Sequence, residues 1–120
     1  MALDQTDVES TILANGYRKS ESNSKRIQYD SITTANTIYF IPGVGLPRMA
    51  RIVVHPGLNI ATLLKIDGIT LSEKGLHHGS TLSAFPKKMH TGKDEIHYGQ
   101  ALNAENIHAL ANMAKAIHHL

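Results

Sequence analysis

The residues most able to do chemistry gather late in the chain, in residues 75–99. This segment holds four of the eight histidines, together with lysines and acidic residues. An imidazole can act as general base and general acid on a phosphodiester, and a nearby ammonium group can stabilise the developing negative charge. The candidates for acid–base work are His55, His77, His78, His90, His97 and Tyr98. One hypothesis is therefore a small metal-independent ribonuclease or toxin-like enzyme.

The same histidines have a plainer interpretation, as part of a solvated surface loop. His77 and His78 are adjacent, and adjacent side chains of an extended chain point to opposite sides. The two cannot face one substrate unless the chain turns between them. Phe85 is expected to insert into the core and to anchor this loop.

Basic residues favour a binding role. They are Arg48, Arg51, Lys87, Lys88 and Lys93, placed in loops and along one strand. The formal net charge is only +2, which gives a weak overall field. Because no catalytic signature is present, the leading hypothesis is a non-enzymatic accessory or binding protein whose partner is a nucleic acid or an anionic protein. The alternative is that these side chains simply face water.

Several classes of site are excluded or disfavoured by what the sequence lacks. Cysteine is absent, which excludes disulfides, thiolate metal sites and cysteine nucleophiles. The histidines show none of the spacings typical of zinc sites, so we expect neither a metal ion nor another cofactor. Residues 42–48 resemble a phosphate-binding loop, but a strand rather than the required helix is expected to follow. This connector is therefore predicted to join two strands.

Local patterns predict strands in the first two thirds of the chain. Alternating or β-branched residues indicate strands at 26–29, 37–41 and 50–55. Residues 63–66 and 69–71 give a weaker indication of a hairpin, turning at Asp67-Gly68. Residues 18–25 are polar and Ser-rich, which predicts either a loop or the frayed start of a strand. Residues 72–99 show no regular period and are predicted to be a long irregular loop.

One helix is predicted at each end of the chain. Residues 6–9 have the spacing of a capping box with Thr6 as the cap, and Asn15-Gly16 is typical of a helix end. Asn103 is predicted to cap the last helix. The apolar stripe of that helix consists of Ile107, Leu110, Ala114 and Ile117.

These elements predict an α+β fold in one domain, residues 1–120. We expect an antiparallel sheet of three to five strands, with the N-terminal and C-terminal helices packed on one face and a long irregular loop before the last helix. If strand 50–55 is an exposed edge, two copies can pair across a two-fold axis. A structural homodimer is therefore a third hypothesis.

The expected location is the cytoplasm. Residues 1–10 are polar and acidic and lack the apolar core of a signal peptide. No apolar run approaches the roughly 20 residues that a membrane helix needs. We therefore expect no contact with a membrane.

Short motifs in the chain resemble the YgaC family of small bacterial cytoplasmic proteins. The resemblance rests on Gly16-Tyr17, on Val53-Val54-His55-Pro56, on Phe85-Pro86 and on His97-Tyr98-Gly99. The chain departs from the family at residues 58–75 and in the loop at residues 43–45. The resemblance implies a bacterial, intracellular α+β protein and raises the interest of His55 and His97. It supplies no mechanism.

Overall fold

The computed structural model describes residues 3–23, 25–79, 82–90 and 94–119. The elements are α1 (Gln5–Ala14), β1 (Tyr17–Ser22), β2 (Ile27–Ser31), β3 (Thr37–Phe40), β4 (Ala50–Val54), α2 (Ile60–Leu64), β5 (Ile69–His78), β6 (Lys87–His90), β7 (Asp94–Ala104) and α3 (Ile107–Ile117). The strands form one antiparallel sheet in the order β1-β2-β3-β4-β7-β5, and β6 also pairs with β7. The predicted α+β class is confirmed, although the sheet has seven strands rather than three to five.

The two terminal helices cover one face of this sheet, as predicted. Val8 and Ile12 of α1 and Leu110 and Met113 of α3 belong to one buried cluster with the inward side chains of the central strands. The amphipathic stripe of α3 explains this placement, because its apolar side can be removed from water only against the sheet. Among the described residues, none of the helices has the length and apolar character needed to cross a bilayer.

Both helix caps differ from the prediction. Asp4, not Thr6, caps α1, because its carboxylate accepts from the Asp7 backbone N–H at 2.8 Å. Asn106, not Asn103, caps α3, and its side chain accepts from the Ala109 N–H at 2.8 Å. In each case a second capping residue lies two or three positions from the predicted one, and spacing alone does not choose between them.

Two segments without a clear strand pattern are strands. Residues 18–25, for which a loop and a frayed strand start were both open, contain most of β1, whose side chains after Tyr17 are all exposed because β1 is an edge strand. Residues 72–99 were predicted to form a long irregular loop, but they contain most of β5, all of β6 and half of β7. Their period is hidden because the register of β5 shifts between Leu71 and Leu76 and because polar side chains are tolerated where strands face water.

Two further predictions about strands were wrong. Residues 63–66 were predicted to be a strand, yet they lie in and after α2, whose first turn is capped by Asn59. The dimer hypothesis required residues 50–55 to be an exposed edge, yet β4 pairs with β3 on one side and β7 on the other. An edge-to-edge dimer through β4 is therefore excluded, because its backbone groups are already paired.

Candidate functional site

The face of the sheet opposite α1 and α3, here called the helix-free face, carries a small apolar cluster of its own. The cluster consists of Tyr39, Ile41, Val53, Leu82 and Phe85. The ring of Phe85 meets that of Tyr39 edge-on at 5.0 Å, and the Tyr39 hydroxyl accepts from the Ala84 N–H at 3.2 Å. The segment before β6 is thus fixed over the sheet by Phe85, as the sequence predicted.

His97 lies beside this cluster, on the helix-free face of β7. Its Nδ1 is 2.6 Å from the Phe85 carbonyl oxygen. Because a carbonyl only accepts, Nδ1 carries a hydrogen, and in the neutral ring the lone pair is on Nε2. Lys87, which pairs with His97 across the ladder, Glu95 and Ile96 line a depression of about 140 Å³ with it. A base, a cation and a carboxylate therefore meet at one small hollow.

His55 lies on the other side of Phe85. Its ring meets the Phe85 ring edge-on at 5.5 Å. Its Nδ1 accepts from the Gly57 N–H at 2.8 Å, so its Nε2 carries the hydrogen. His55 lines a different depression of about 330 Å³ with Asn36, Gly57, Leu58 and Asn59. Phe85 therefore contacts both histidines, but the structure does not bring them to one hollow.

The other predicted histidines are separated by the pleat of β5. His77 pairs with Gly99 and His78 pairs with Tyr98, so the two histidines face opposite sides of the sheet, as predicted from their adjacency. The rings of His78 and Tyr98 stack at 5.9 Å. His90 is in β6, but its side chain lies outside the described part of the structure.

Arg51 is the most deeply buried of the predicted binding residues. It is only 3% exposed and lies on the helix-free face of β4. Its Nε donates to Asn103 Oδ1 at 2.8 Å, and its Nη2 approaches Glu73 Oε1 at 3.6 Å. That distance is too long for a hydrogen bond, so Nη2 is buried without an acceptor. Arg51 does not lie on a wet face, contrary to the plainer interpretation of its role.

Arg26 is a second buried arginine on this face, and it was not among the predicted binding residues. It is 8% exposed, and its guanidinium carbon lies 5.4 Å from the centre of the Tyr39 ring, a cation–π contact. Its Nη2 approaches Glu21 at 3.6 Å, while Nε and Nη1 are buried and have no acceptor in the described part of the chain. The alternation of residues 26–29 indicates which face of the sheet carries Arg26. It does not indicate that this face is buried.

Of the remaining predicted cations, only Arg48 and Lys87 have described side chains, and both are exposed. Arg48 is exposed in the connector between β3 and β4, and its backbone N–H bonds to the Gly45 carbonyl. That connector joins two antiparallel strands, as predicted. Lys87 is exposed at the His97 depression. The side chain of Lys88 and all of Lys93 lie outside the described residues.

The described residues contain no group of three or more potential ligands that could hold a metal ion.

No protein-family model and no curated protein sequence matches the chain. The resemblance to the YgaC family therefore stays a prediction.

Proposed function

We propose that this chain is a non-enzymatic binding protein that holds an anionic group of its partner through Arg26 and Arg51 on the helix-free face. One observation carries the proposal, namely that three guanidinium nitrogens of these two buried side chains, Nε and Nη1 of Arg26 and Nη2 of Arg51, have no acceptor among the described residues. A guanidinium stays charged at any physiological pH, so it cannot escape burial by losing its proton.

The described residues compensate the charge of both arginines poorly. The two carboxylates near them, Glu21 and Glu73, have side chains that are 60% and 82% exposed, and each lies 3.6 Å away. Exposed carboxylates are screened by water and stabilise a buried cation little. A buried charge without full partners costs several kcal/mol. An anion that supplies acceptors to these N–H groups recovers that cost on binding, which favours a phosphate or carboxylate ligand.

The edge of the sheet provides the route to Arg26. Arg26 follows the turn between β1 and β2, and Asn23 and Lys25 in that turn are exposed. The turn is held by Asn23, whose Oδ1 accepts from the N–H groups of Lys25 and Arg26. Because β1 pairs with only one strand, this hairpin end opens at lower cost than the centre of the sheet. We therefore expect the anion to enter beside β1.

Thermal unfolding in the presence of inorganic phosphate tests the proposal. At low salt, phosphate at a hundredfold excess over its Kd should stabilise the wild type by about 2.7 kcal/mol, seen as a rise in Tm. Arg26→Gln and Arg51→Gln should each weaken that response, and Arg48→Gln, which changes an exposed arginine, should retain it. A wild type that responds to neither phosphate nor acetate, or a control that loses the response equally, overturns the proposal.

A nucleic-acid partner is compatible with this site only through its phosphates. Tyr39 and Phe85 are 0% and 4% exposed, so neither ring can stack on a base. Binding of a single-stranded RNA should therefore show little sequence preference and should weaken linearly in log Kd as the logarithm of salt concentration rises. Fluorescence polarisation at several salt concentrations measures this dependence. If the RNA does not bind even at low salt, a nucleic-acid partner is excluded.

His97 supports a second candidate function, a metal-independent ribonuclease. The observation in its favour is that the Phe85 carbonyl fixes the tautomer of His97 and leaves Nε2 as a base beside Lys87. Such an enzyme should show a bell-shaped dependence of cleavage on pH between about 5 and about 8. His97→Gln should abolish cleavage, whereas His55→Gln, at a separate depression, should not. RNA left intact by the wild type over this range disproves this candidate.

A further inference from the structure

Gln28 contributes a buried acceptor next to the unpartnered donors of Arg26. The residue is 9% exposed, and its Nε2 donates to Asp30 Oδ1 at 3.0 Å. Its Oε1 is buried and has no donor among the described residues. A buried carbonyl oxygen without a donor is costly, so this atom also requires explanation.

Asp30 fixes the direction of the Gln28 amide. Its carboxylate accepts from the Thr37 hydroxyl at 2.7 Å and from Gln28. Burial alone would raise the pKa of Asp30, but hydrogen bonds from Gln28, Thr37 and Ser20, with the charge of Arg18, lower it. The group is therefore a carboxylate at neutral pH. Turning the amide over would place Oε1 against this carboxylate, so Oε1 is held away from Asp30 as a free acceptor.

Gln28 and the unpartnered N–H donors of Arg26 both lie next to the ring of Tyr39. Gln28 pairs with Tyr39 across the β2–β3 ladder, and the guanidinium of Arg26 lies over the Tyr39 ring. Arg26 and Gln28 are two residues apart, so both side chains are on the helix-free face. A ligand that reaches Arg26 therefore meets N–H donors and one C=O acceptor together.

We infer that the anion held by Arg26 is a phosphate that carries an O–H group, and that Gln28 selects it by accepting that hydrogen. This inference rests on the proposed anion-binding function and specifies its ligand. Ionised oxygens of the phosphate accept from Nε and Nη1 of Arg26, while the P–O–H group donates to Gln28 Oε1. Sulfate, a carboxylate and a phosphodiester have no hydrogen to donate at neutral pH, so each leaves Oε1 unpartnered and facing a negative oxygen.

The protonation of the ligand separates two sources of such a phosphate. Inorganic phosphate has at least one O–H group throughout the neutral range. A phosphomonoester, such as a phosphoserine side chain, loses its last O–H above its second pKa of about 6. Inorganic phosphate should therefore bind at both pH 7 and pH 5, whereas the affinity of O-phosphoserine should rise as the pH falls toward 5. Dimethyl phosphate should bind no better than sulfate at either pH.

Isothermal titration of the full chain with sodium phosphate and sodium sulfate, at equal ionic strength and pH 7, tests the inference. The wild type should prefer phosphate by roughly tenfold, since one hydrogen bond is gained and one buried acceptor is no longer left unpaired. Gln28→Leu should abolish the preference, because the phosphate hydrogen then has no acceptor, and it should not weaken the binding of sulfate. Gln100→Leu, a glutamine change on the helix-bearing face opposite Val54, should retain the preference.

A second variant, Asp30→Asn, tests the same inference if the Gln28→Leu chain does not fold. Asp30→Asn leaves Gln28 in place but removes the carboxylate that directs its amide, so it too should reduce the preference for phosphate. Equal binding of phosphate and sulfate by the wild type overturns the role of Gln28 and leaves the anion-binding proposal standing. Binding of neither anion overturns both. A Gln28→Leu chain that retains the tenfold preference also overturns the inference.

Discussion

The ring of Phe85 occupies the space beside Gly99 in which any other residue would place its Cβ atom. A Cβ at this position would lie 2.8 Å from two carbons of the Phe85 ring and 2.5 Å from Val53 Cγ1. Real Cβ atoms do not approach carbon so closely, since contacts between carbon atoms are favourable only near 3.5–4.0 Å. Gly99 is therefore what allows the Phe85 ring to pack against β7, and Phe85 in turn contacts both His55 and His97.

Gly99→Ala should lower the free energy of unfolding by about 1–3 kcal/mol, because the added methyl group overpacks the contact between β7 and Phe85. Urea denaturation followed by circular dichroism measures this change. Gly43→Ala is the matched control, since a Cβ there would have no atom within 4 Å, and it should leave stability within about 0.5 kcal/mol of the wild type. Equal effects of the two substitutions would show that Phe85 does not pack against Gly99.

Tyr17 and Tyr29 should respond in opposite ways to loss of their hydroxyl groups. Both are buried among the helix-side residues, but the Tyr17 hydroxyl donates to the Ala114 carbonyl at 2.8 Å, whereas the Tyr29 hydroxyl is buried without a partner. Tyr17→Phe should therefore cost about 1 kcal/mol of the free energy of unfolding. Tyr29→Phe should leave stability unchanged or raise it slightly, because it removes an unsatisfied polar atom. A larger loss in Tyr29→Phe than in Tyr17→Phe would contradict the assigned hydrogen bond.

The sequence revealed the class of the fold because that class depends on local patterns. The apolar stripe of α3 and the β-branched runs of β3 and β4 form where they were predicted. The pairing of β5 with β7 could not be seen, because its register shift interrupts the alternation and the paired residues are twenty or more positions apart in the chain. The edge strand β1 was equally hard to predict, because it faces water on both sides over most of its length and so shows no alternation of apolar and polar residues.

The candidate site was only half visible in the sequence for a related reason. The alternation of residues 26–29 already places Arg26 and Gln28 on one side of a strand, and Arg51 was singled out as a cation. The usual inference from an alternating strand is that its polar side faces water. Here that side is buried and carries a second apolar cluster, to which Leu82 and Phe85 contribute from more than fifty residues further along the chain than Gln28. The spacing of residues within one strand contains no information about a distant segment that packs over it.

Asp30 should make stability depend on acid pH in a defined direction. Its pKa in the folded chain lies below the ordinary value of 3.8, so its contribution to stability is complete above that value and is lost as the pH falls through the lower folded pKa. Thr37→Val removes one of the hydrogen bonds that lower this pKa, and it should destabilise the chain at neutral pH.

The stability gap between wild type and Thr37→Val should narrow as the pH falls, because both chains then have a protonated Asp30. Urea denaturation at a series of pH values from about 7 down to about 2 covers the relevant window. Thr62→Val, which changes a hydroxyl far from Asp30 in α2, should show a gap that does not vary with pH. A Thr37→Val gap that stays constant would mean that its hydroxyl does not act through Asp30.

Arg26 and Arg51 should differ in what they contribute to the stability of the unliganded chain. Arg51→Met removes the donor to Asn103 Oδ1 and leaves a buried amide oxygen without its partner, so it should lower the free energy of unfolding by about 1–3 kcal/mol. Arg26 makes no hydrogen bond from its side chain to the described residues beyond a 3.6 Å approach to an exposed glutamate. Arg26→Met keeps the apolar contact with Tyr39 and removes a buried charge, so stability should be unchanged or raised by about 1–4 kcal/mol.

The same Arg26→Met chain should gain no Tm from phosphate, although it is at least as stable as the wild type without it. That combination distinguishes a binding residue from a structural one, because a structural arginine cannot be removed without loss of stability. Differential scanning calorimetry with and without phosphate measures both quantities on one sample. If Arg26→Met is destabilised as much as Arg51→Met, then Arg26 supports the fold rather than a ligand. The assignment of the anion site to the β1–β2 end of the helix-free face would then be wrong.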